Sequence, residues 1–200
     1  GVVVPKPTAD IPRVIQIAAD EGLPVLPRGG GTSQCGQTVA AALVVDTSKY
    51  LNKLLRVVPE EGWAEAEPGL VLNDLNDILK SYGLMFAPDP ATAEHACVGG
   101  VVANNSSGTR SILYGTTVDH VEGVTFICGE GELHQFRTMT GGKLAQVLQS
   151  QSRTGALIRG LVSATKSNAE LICARYPKIL RRVTGYNYDE MLRGLRAVGY

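Results

Sequence analysis

The stretch Pro27-Arg28-Gly29-Gly30-Gly31-Thr32-Ser33-Gln34-Cys35-Gly36-Gln37 sets the fold of this sequence. It follows Pro24 to Pro27, a run with the length and turn-bounded ends of a short strand. Consecutive glycines after a strand expose backbone N–H groups that an anion can approach closely, because no Cβ intervenes. Thr32, Ser33, Gln34 and Gln37 add side-chain donors. A pyrophosphate cradle and an ordinary flexible turn both fit these residue types, and the flanking hydroxyls and amides favour the cradle. Two nucleotide motifs are excluded. A Walker loop ends in Gly-Lys-Ser or Gly-Lys-Thr, and no lysine occurs between Lys6 and Lys49. A Rossmann G-x-G-x-x-G opens a helix, whereas here Gln34 stands at the third glycine and loop residues come next.

Working outward, Val2 to Val4 reads as a short buried strand. Asp10 to Glu21 reads as a helix with Ile11, Val14, Ile15 and Ala18 on one face, ended by Gly22. Strand, helix and strand up to Pro27 predict a βαβ-like unit with a parallel pair. Ala42 to Asp46 is a third strand. Leu54 to Pro59 and Trp63 to Glu67 form a hairpin around Glu60-Glu61-Gly62. Val71, Leu75, Ile78 and Leu79 have helical spacing, and Gly83 closes that helix. Residues 87 to 117 are mostly loop chemistry, with a short helix over Val98 to Asn104. Val121 to Cys128 and Leu133 to Phe136 form a second hairpin, and residues 154 to 175 a longer helix before Pro177. Lys178 to Tyr200 is basic and contains glycine, and its pattern assigns no element. The fold class is α+β, with a break near Ser48 to Leu54 separating two subdomains.

A second candidate segment is long. It runs through Pro88-Asp89-Pro90-Ala91-Thr92, then Gly99-Gly100-Val101-Val102-Ala103-Asn104-Asn105-Ser106-Ser107-Gly108, then Tyr114-Gly115-Thr116-Thr117-Val118-Asp119-His120-Val121. Glycine, hydroxyl and amide residues at this density can wrap a polar ligand with backbone hydrogen bonds. The alternative is a long surface loop, which is uncommon inside a compact domain unless functional.

Composition narrows the function classes. The 200 residues are 44% hydrophobic, enough for one substantial core or two small ones in contact. Lys plus Arg number 19, as do Asp plus Glu, so net charge is zero and a phosphate-backbone binder is disfavoured. Cys35, Cys97, Cys128 and Cys173 are far apart, with no C-x-x-C pair. That spacing argues against a zinc or iron–sulfur site and against a disulfide framework, and fits a reducing compartment. No apolar run approaches the ~20 residues of a membrane span. His95, His120 and His134 are scattered, and even the Asp119-His120 pair gives no acid–base grouping that outweighs a structural role. Trp63 and Tyr82 read as core or hairpin packing, and Arg181-Arg182 as a solvated basic turn in preference to an anion patch.

Three ordered blocks now carry a resemblance across nearly the whole chain. They are Pro27 to Ser33, Pro88-Asp89-Pro90 through Gly99, Gly100, Asn104, Gly108, Tyr114 and Gly115, and Thr184-Gly185-Tyr186-Asn187. The sequence resembles the FAD-binding fold of vanillyl-alcohol oxidase and p-cresol methylhydroxylase. Within it, the sequence is most similar to the glycolate oxidase, D-lactate dehydrogenase and D-2-hydroxyglutarate dehydrogenase branch.

The resemblance implies roles. Arg28, Gly29, Gly30, Gly31, Thr32 and Ser33 would hold the FAD pyrophosphate. Pro88, Asp89, Pro90, Ala91 and Thr92, with Gly99, Gly100, Ala103 and Asn104, would line the pyrophosphate, ribityl chain and flavin. Ser107, Gly108, Tyr114, Gly115 and Thr116 would continue that contact, with Val121 near the adenine side. Covalent members carry histidine in the first loop where Thr32 stands, so non-covalent FAD is implied. Pro177-Lys178-Ile179 leading to Arg181-Arg182-Val183-Thr184 resembles a long subtype whose downstream domain holds an iron–sulfur cluster.

The family's Gly-x-Glu-Gly-x-Leu-Gly block and its substrate domain do not occur before Tyr200, so the chain is expected to be inactive alone. The implied division is residues 1–47 and 48–176 as two FAD-binding subdomains, with 177–200 starting an extension towards a substrate domain. The implied function is oxidation of a 2-hydroxy acid. Electrons would pass to a quinone, an electron-transfer protein or an iron–sulfur centre. A cytoplasmic setting is expected, with peripheral membrane association through the acceptor kept open. Two alternatives remain: a transferase similar to alkyl-dihydroxyacetonephosphate synthase, and a non-catalytic flavin-binding module.

Overall fold

The first strand, helix and strand form where their pattern places them, but the first strand is not buried: Val2 is 66% exposed. The computed structural model describes residues 1–179, 182 and 186–200. Strand β1 is Val2–Val3, helix α1 Asp10–Asp20, β2 Val25–Arg28 and β3 Leu43–Asp46. The helix stops because Gly22 takes φ +63°. Its N–H donates to the Ala19 carbonyl and the Leu23 N–H to that of Ala18, the Schellman closure of a helix. The strands are parallel, as expected, but β1 and β2 do not pair with each other. The sheet order is β1-β3-β2, with Val2 opposite Val44 and Arg28 opposite Asp46. The third strand enters between the first two and hydrogen-bonds to both.

The hairpin of β4 (Leu54–Val58) and β5 (Trp63–Ala66) comes next, with Gly62 at φ +73° in its turn. Helix α2 (Leu72–Lys80) buries Leu72, Leu75 and Leu79 and ends at Gly83, φ +70°. These leucines join Leu70, Ala93, Ala96 and Val101 in one core. Each buried leucine contributes about 1.5–3 kcal/mol. The short helix expected over Val98 to Asn104 forms, and beyond it the segment read as loop holds more structure than its composition predicts. Helix α3 (Val98–Ala103) is followed by α4 (Ser111–Tyr114) and a 3-10 turn at Thr117–His120.

Strands β6 (Gly123–Ile127) and β7 (Leu133–Arg137) make the second hairpin. Beyond it the chain is helical. Helix α5 (Gly141–Gln149) has no counterpart in the sequence pattern, and the helix expected over residues 154 to 175 is two: α6 (Arg153–Ser167) and α7 (Ala169–Arg175). Asn168 separates them, at φ −113° and ψ 16°, with its side-chain amide donating to the Ala164 carbonyl. Helix α8 (Tyr188–Ala197) occupies the stretch whose pattern assigns nothing. Leu144, Ile158 and Leu195 from α5, α6 and α8 make a second core that receives Phe136 of β7.

Arg182 corrects the expected basic turn. Its guanidinium forms a two-pronged pair with Asp189 (2.5 and 2.7 Å) and lies 4.9 Å from the Tyr176 ring centre. Arg181, Val183, Thr184 and Gly185 lie outside the described residues, and with them half of the third block. Trp63 sits on its hairpin as expected, donating to Glu61 at 2.6 Å beneath Arg56. Tyr82 does not pack in a core and is 47% exposed.

Candidate functional site

Strand β2 delivers the glycine loop against the second segment. A Cβ on Gly30 would lie 1.9 Å from the His95 carbonyl oxygen, and one on Gly29 2.8 Å from the Cys97 Cβ. These glycines are therefore fixed by backbone packing as well as by flexibility. Gly31 adopts φ +66°, which only glycine takes without strain. The loop is closed at its base by the Arg28 Nη1, which donates to the Thr38 carbonyl at 2.9 Å. Part of the Arg28 donor set is thus committed to the loop itself. Ser33 Oγ donates to Gln37 Oε1 at 2.6 Å, pinning one side of the loop to the other. Gln34 is exposed. Among the described residues, the backbone N–H groups of Gly31, Thr32, Ser33 and Gln34 donate to no protein acceptor. Gly31, Thr32 and Ser33 are half-buried. A half-buried row of unpaired donors suits a multivalent anion.

The second segment is held tightly at two points. Pro88 is fully buried, and a Cβ on Gly108 would lie 1.6 Å from the Asp89 carbonyl oxygen. Asp89 also pairs with Arg110. The Thr92 carbonyl accepts from the N–H groups of His95 (2.8 Å) and Ala96 (2.7 Å), turning the chain towards α3. Ala91 is exposed and Pro90 buried. In α3, Gly99 sits against Pro68, where a Cβ would approach to 2.6 Å. Gly100 is different: it is exposed and its Cβ would meet nothing within 4 Å. Ala103 is exposed, and Asn104 and Ser107 are half-buried.

Asn105 organises the chain between α3 and the 3-10 turn, although the sequence pattern points to its neighbour Asn104. It is 3% exposed and takes φ +45°. Its Oδ1 accepts from the Val118 N–H at 2.9 Å, and its Nδ2 faces the Arg182 carbonyl at 3.3 Å. Asparagine tolerates this left-handed backbone better than other side chains, which is the signal the sequence offers. Gly115, at φ +82°, makes room for Asp119, whose carboxylate accepts from the Thr116 N–H at 2.8 Å. Thr116 is therefore an N-cap for the 3-10 turn. The Tyr114 carbonyl contacts His120 Nε2 at 2.8 Å, and the His120 ring meets Phe86 edge-on, so this histidine is structural. Val121 is half-buried at the entry to β6.

A cavity of about 560 Å³ opens beside this turn, lined by Asn105, Gly115, Thr116, Asp119, Tyr176 and Arg182 among others. The glycine loop is not part of its wall. The structure thus joins residues 29–30 to 95–97 and residue 89 to 108, and leaves residues 115–116 on a separate opening. Cys97, which sequence reasoning also misses as part of the site, lies under the glycine loop. Burial pushes its thiol pKa up, Asp46 and Asp74 push the same way, and the Gly30 N–H opposes them. A buried, protonated thiol packs and does not react.

Residues 1–137 match the model of a family described as FAD binding domain. The chain belongs to this FAD-binding domain family. Over 191 residues it is 35% identical to D-2-hydroxyglutarate dehydrogenase of Escherichia coli (strain K12), covering 94% of this chain and 19% of that protein. It is 34% identical to a glycolate oxidase subunit of Bacillus subtilis (strain 168), over 73% of this chain and 30% of the subunit. Among solved structures, an alkyldihydroxyacetonephosphate synthase superposes with TM-score 0.61 and 25% identity, covering 68% of this chain and 25% of that one. The chain spans about a fifth of the length of the D-2-hydroxyglutarate dehydrogenases it matches. The cofactor of this domain family is FAD, and the unpaired donors of residues 31–34 fit its pyrophosphate. Among the described residues, no helix is long and apolar enough to cross a membrane.

Proposed function

We propose that this FAD-binding domain serves a flavin-dependent dehydrogenase that oxidises a 2-hydroxy acid. The carrying observation is the row of unpaired N–H groups from Gly31 to Gln34, backed by glycines pressed onto residues 95–97. In this reading Gly29 to Ser33 hold the pyrophosphate non-covalently, since Thr32 offers no imidazole for attachment. Pro88 to Thr92, Gly99, Gly100, Ala103, Asn104, Ser107 and Gly108 shape the wall facing ribityl chain and flavin. Tyr114 and Val121 extend that wall, while Gly115 and Thr116 line the separate opening beside the 3-10 turn and are not assigned to it. Bound FAD supplies the electron-accepting chemistry, and the protein supplies position and exclusion of water.

The substrate class rests on the relatives, a D-2-hydroxyglutarate dehydrogenase and a glycolate oxidase subunit. A quinone, an electron-transfer protein or an iron–sulfur centre would take the electrons. The division at residues 47 and 48 belongs to the same reading. It is supported by both apolar cores lying beyond residue 54, apart from the parallel sheet.

The test is an absorbance spectrum of the chain after incubation with FAD and desalting. Flavin bands near ~450 nm that acid precipitation releases are expected. The full-length protein should then bleach anaerobically with a D-2-hydroxy acid. A full-length protein that carries flavin but fails to bleach with any 2-hydroxy acid overturns the substrate class. A colourless full-length protein overturns the whole reading.

A further inference from the structure

The hairpin of β6 and β7 places three metal-ligating side chains on one face. Phe126 pairs with His134 and Ile127 with Leu133, so Cys128 and Glu132 stand opposite each other at the next step. The Cys128 N–H donates to the Glu132 carbonyl at 2.9 Å, which fixes that step. Alternation along a strand puts residues i and i+2 on the same side, so Glu132 and His134 share a face with Cys128. The sulfur, a carboxylate oxygen and an imidazole nitrogen lie within 4.8 Å of one another.

A second observation points into this cluster. His134 is 4% exposed, and its Nε2 is buried without a hydrogen-bond partner. Its Nδ1 lies 3.0 Å from Thr154 Oγ1 at the start of α6. With the Nδ1 proton donated to that hydroxyl, Nε2 presents a bare lone pair to the Glu132 carboxylate, 3.6 Å away. Two electron-rich atoms then face each other at a distance too long for a hydrogen bond. In either tautomer Nε2 is left without a hydrogen bond at that distance, and in this one a cation between the two atoms supplies the missing partner.

We infer that Cys128, Glu132 and His134 form a binding site for a zinc-class divalent cation, distinct from the glycine loop. Sulfur, nitrogen and oxygen donors together select a borderline-soft ion over calcium or magnesium. Zinc bonds of about 2.0–2.3 Å in tetrahedral geometry set donor separations near 3.3–3.8 Å, so modest closure of the present cluster suffices. Solvent supplies the fourth ligand, because Glu132 and Cys128 reach the surface. On binding, the Sγ–H bond breaks, the proton leaves to bulk water, and the Zn–S bond forms with no change of oxidation state. With Nδ1–H donated to Thr154, α6 supports the histidine ligand from behind.

The test uses Co2+ as a spectroscopic probe and Zn2+ as competitor on the purified chain. One equivalent of Co2+ should produce a thiolate-to-cobalt charge-transfer band, and Zn2+ should displace it. Cys128→Ser should abolish that band, and Glu132→Gln, at an exposed carboxylate, should weaken Zn2+ binding without altering the urea midpoint of the metal-free chain. Thr154→Val should weaken Zn2+ binding about 10–100-fold. Cys35→Ser and Cys173→Ser should change nothing. Absence of the band, its persistence in Cys128→Ser, or loss of Zn2+ binding through Cys35 or Cys173 overturns the site and leaves a His134–Glu132 contact only.

Discussion

Gly30 and Gly100 stand in one site for opposite reasons, and alanine separates them. At Gly30 a methyl would collide with the His95 carbonyl oxygen. Gly30→Ala should lose about 1–3 kcal/mol by urea denaturation and shed its FAD on desalting. At Gly100 the added carbon meets no protein atom, within helix α3. Gly100→Ala should gain about 0.5–1 kcal/mol in the metal- and flavin-free chain. If α3 backs the cofactor, the same variant should bind FAD more weakly. Cys97 adds a pH dependence. Its folded-state pKa is raised, so its stabilisation is complete below the ordinary thiol value of 9.0 and fades as pH rises through the folded value. Urea midpoints should fall above pH 9.0 in the parent chain, and Cys97→Ser should flatten that limb. The glycine run is legible as an anion loop because glycine chemistry is local. Asn105 and Cys97 are not, because their roles depend on Val118, Arg182 and Gly30, which only tertiary contact supplies.

Helix ends decide which elements the sequence reveals. Gly22 and Gly83 close α1 and α2 through local backbone bonds, so both helices are readable. Helix α5 begins at Gly141-Gly142, residues that argue for a turn, yet Thr140 Oγ1 accepts from the Lys143 N–H and Leu144 anchors it in a core. Tertiary burial overrides propensity there. The apolar spacing through residues 154 to 175 continues across Asn168, so spacing alone cannot reveal the break. Between α5 and α6 the joint depends on Arg159, whose Nη1 donates to the carbonyls of Leu148 (2.9 Å) and Ser150 (2.5 Å). These are orphan acceptors at a helix end. Arg159→Ala should lose about 1–3 kcal/mol by urea denaturation, and Arg159→Lys should restore only part of it.

At the scale of the whole chain, saturating FAD should act as a ligand that binds only the folded state. At one hundred times the dissociation constant it should add about 2.7 kcal/mol, read as a rise in melting temperature. A chain that melts at the same temperature with and without FAD would contradict the cradle. The α+β class and the parallel start are legible from apolar periods, whereas the order of strands is not. Because β3 lies between β1 and β2, neither outer strand has a neighbour until Leu43–Asp46 arrives. The sheet therefore cannot assemble progressively as the polypeptide leaves the ribosome. Pairing waits for residues 43–46, and the glycine loop, strung between β2 and β3, is closed by the same pairing.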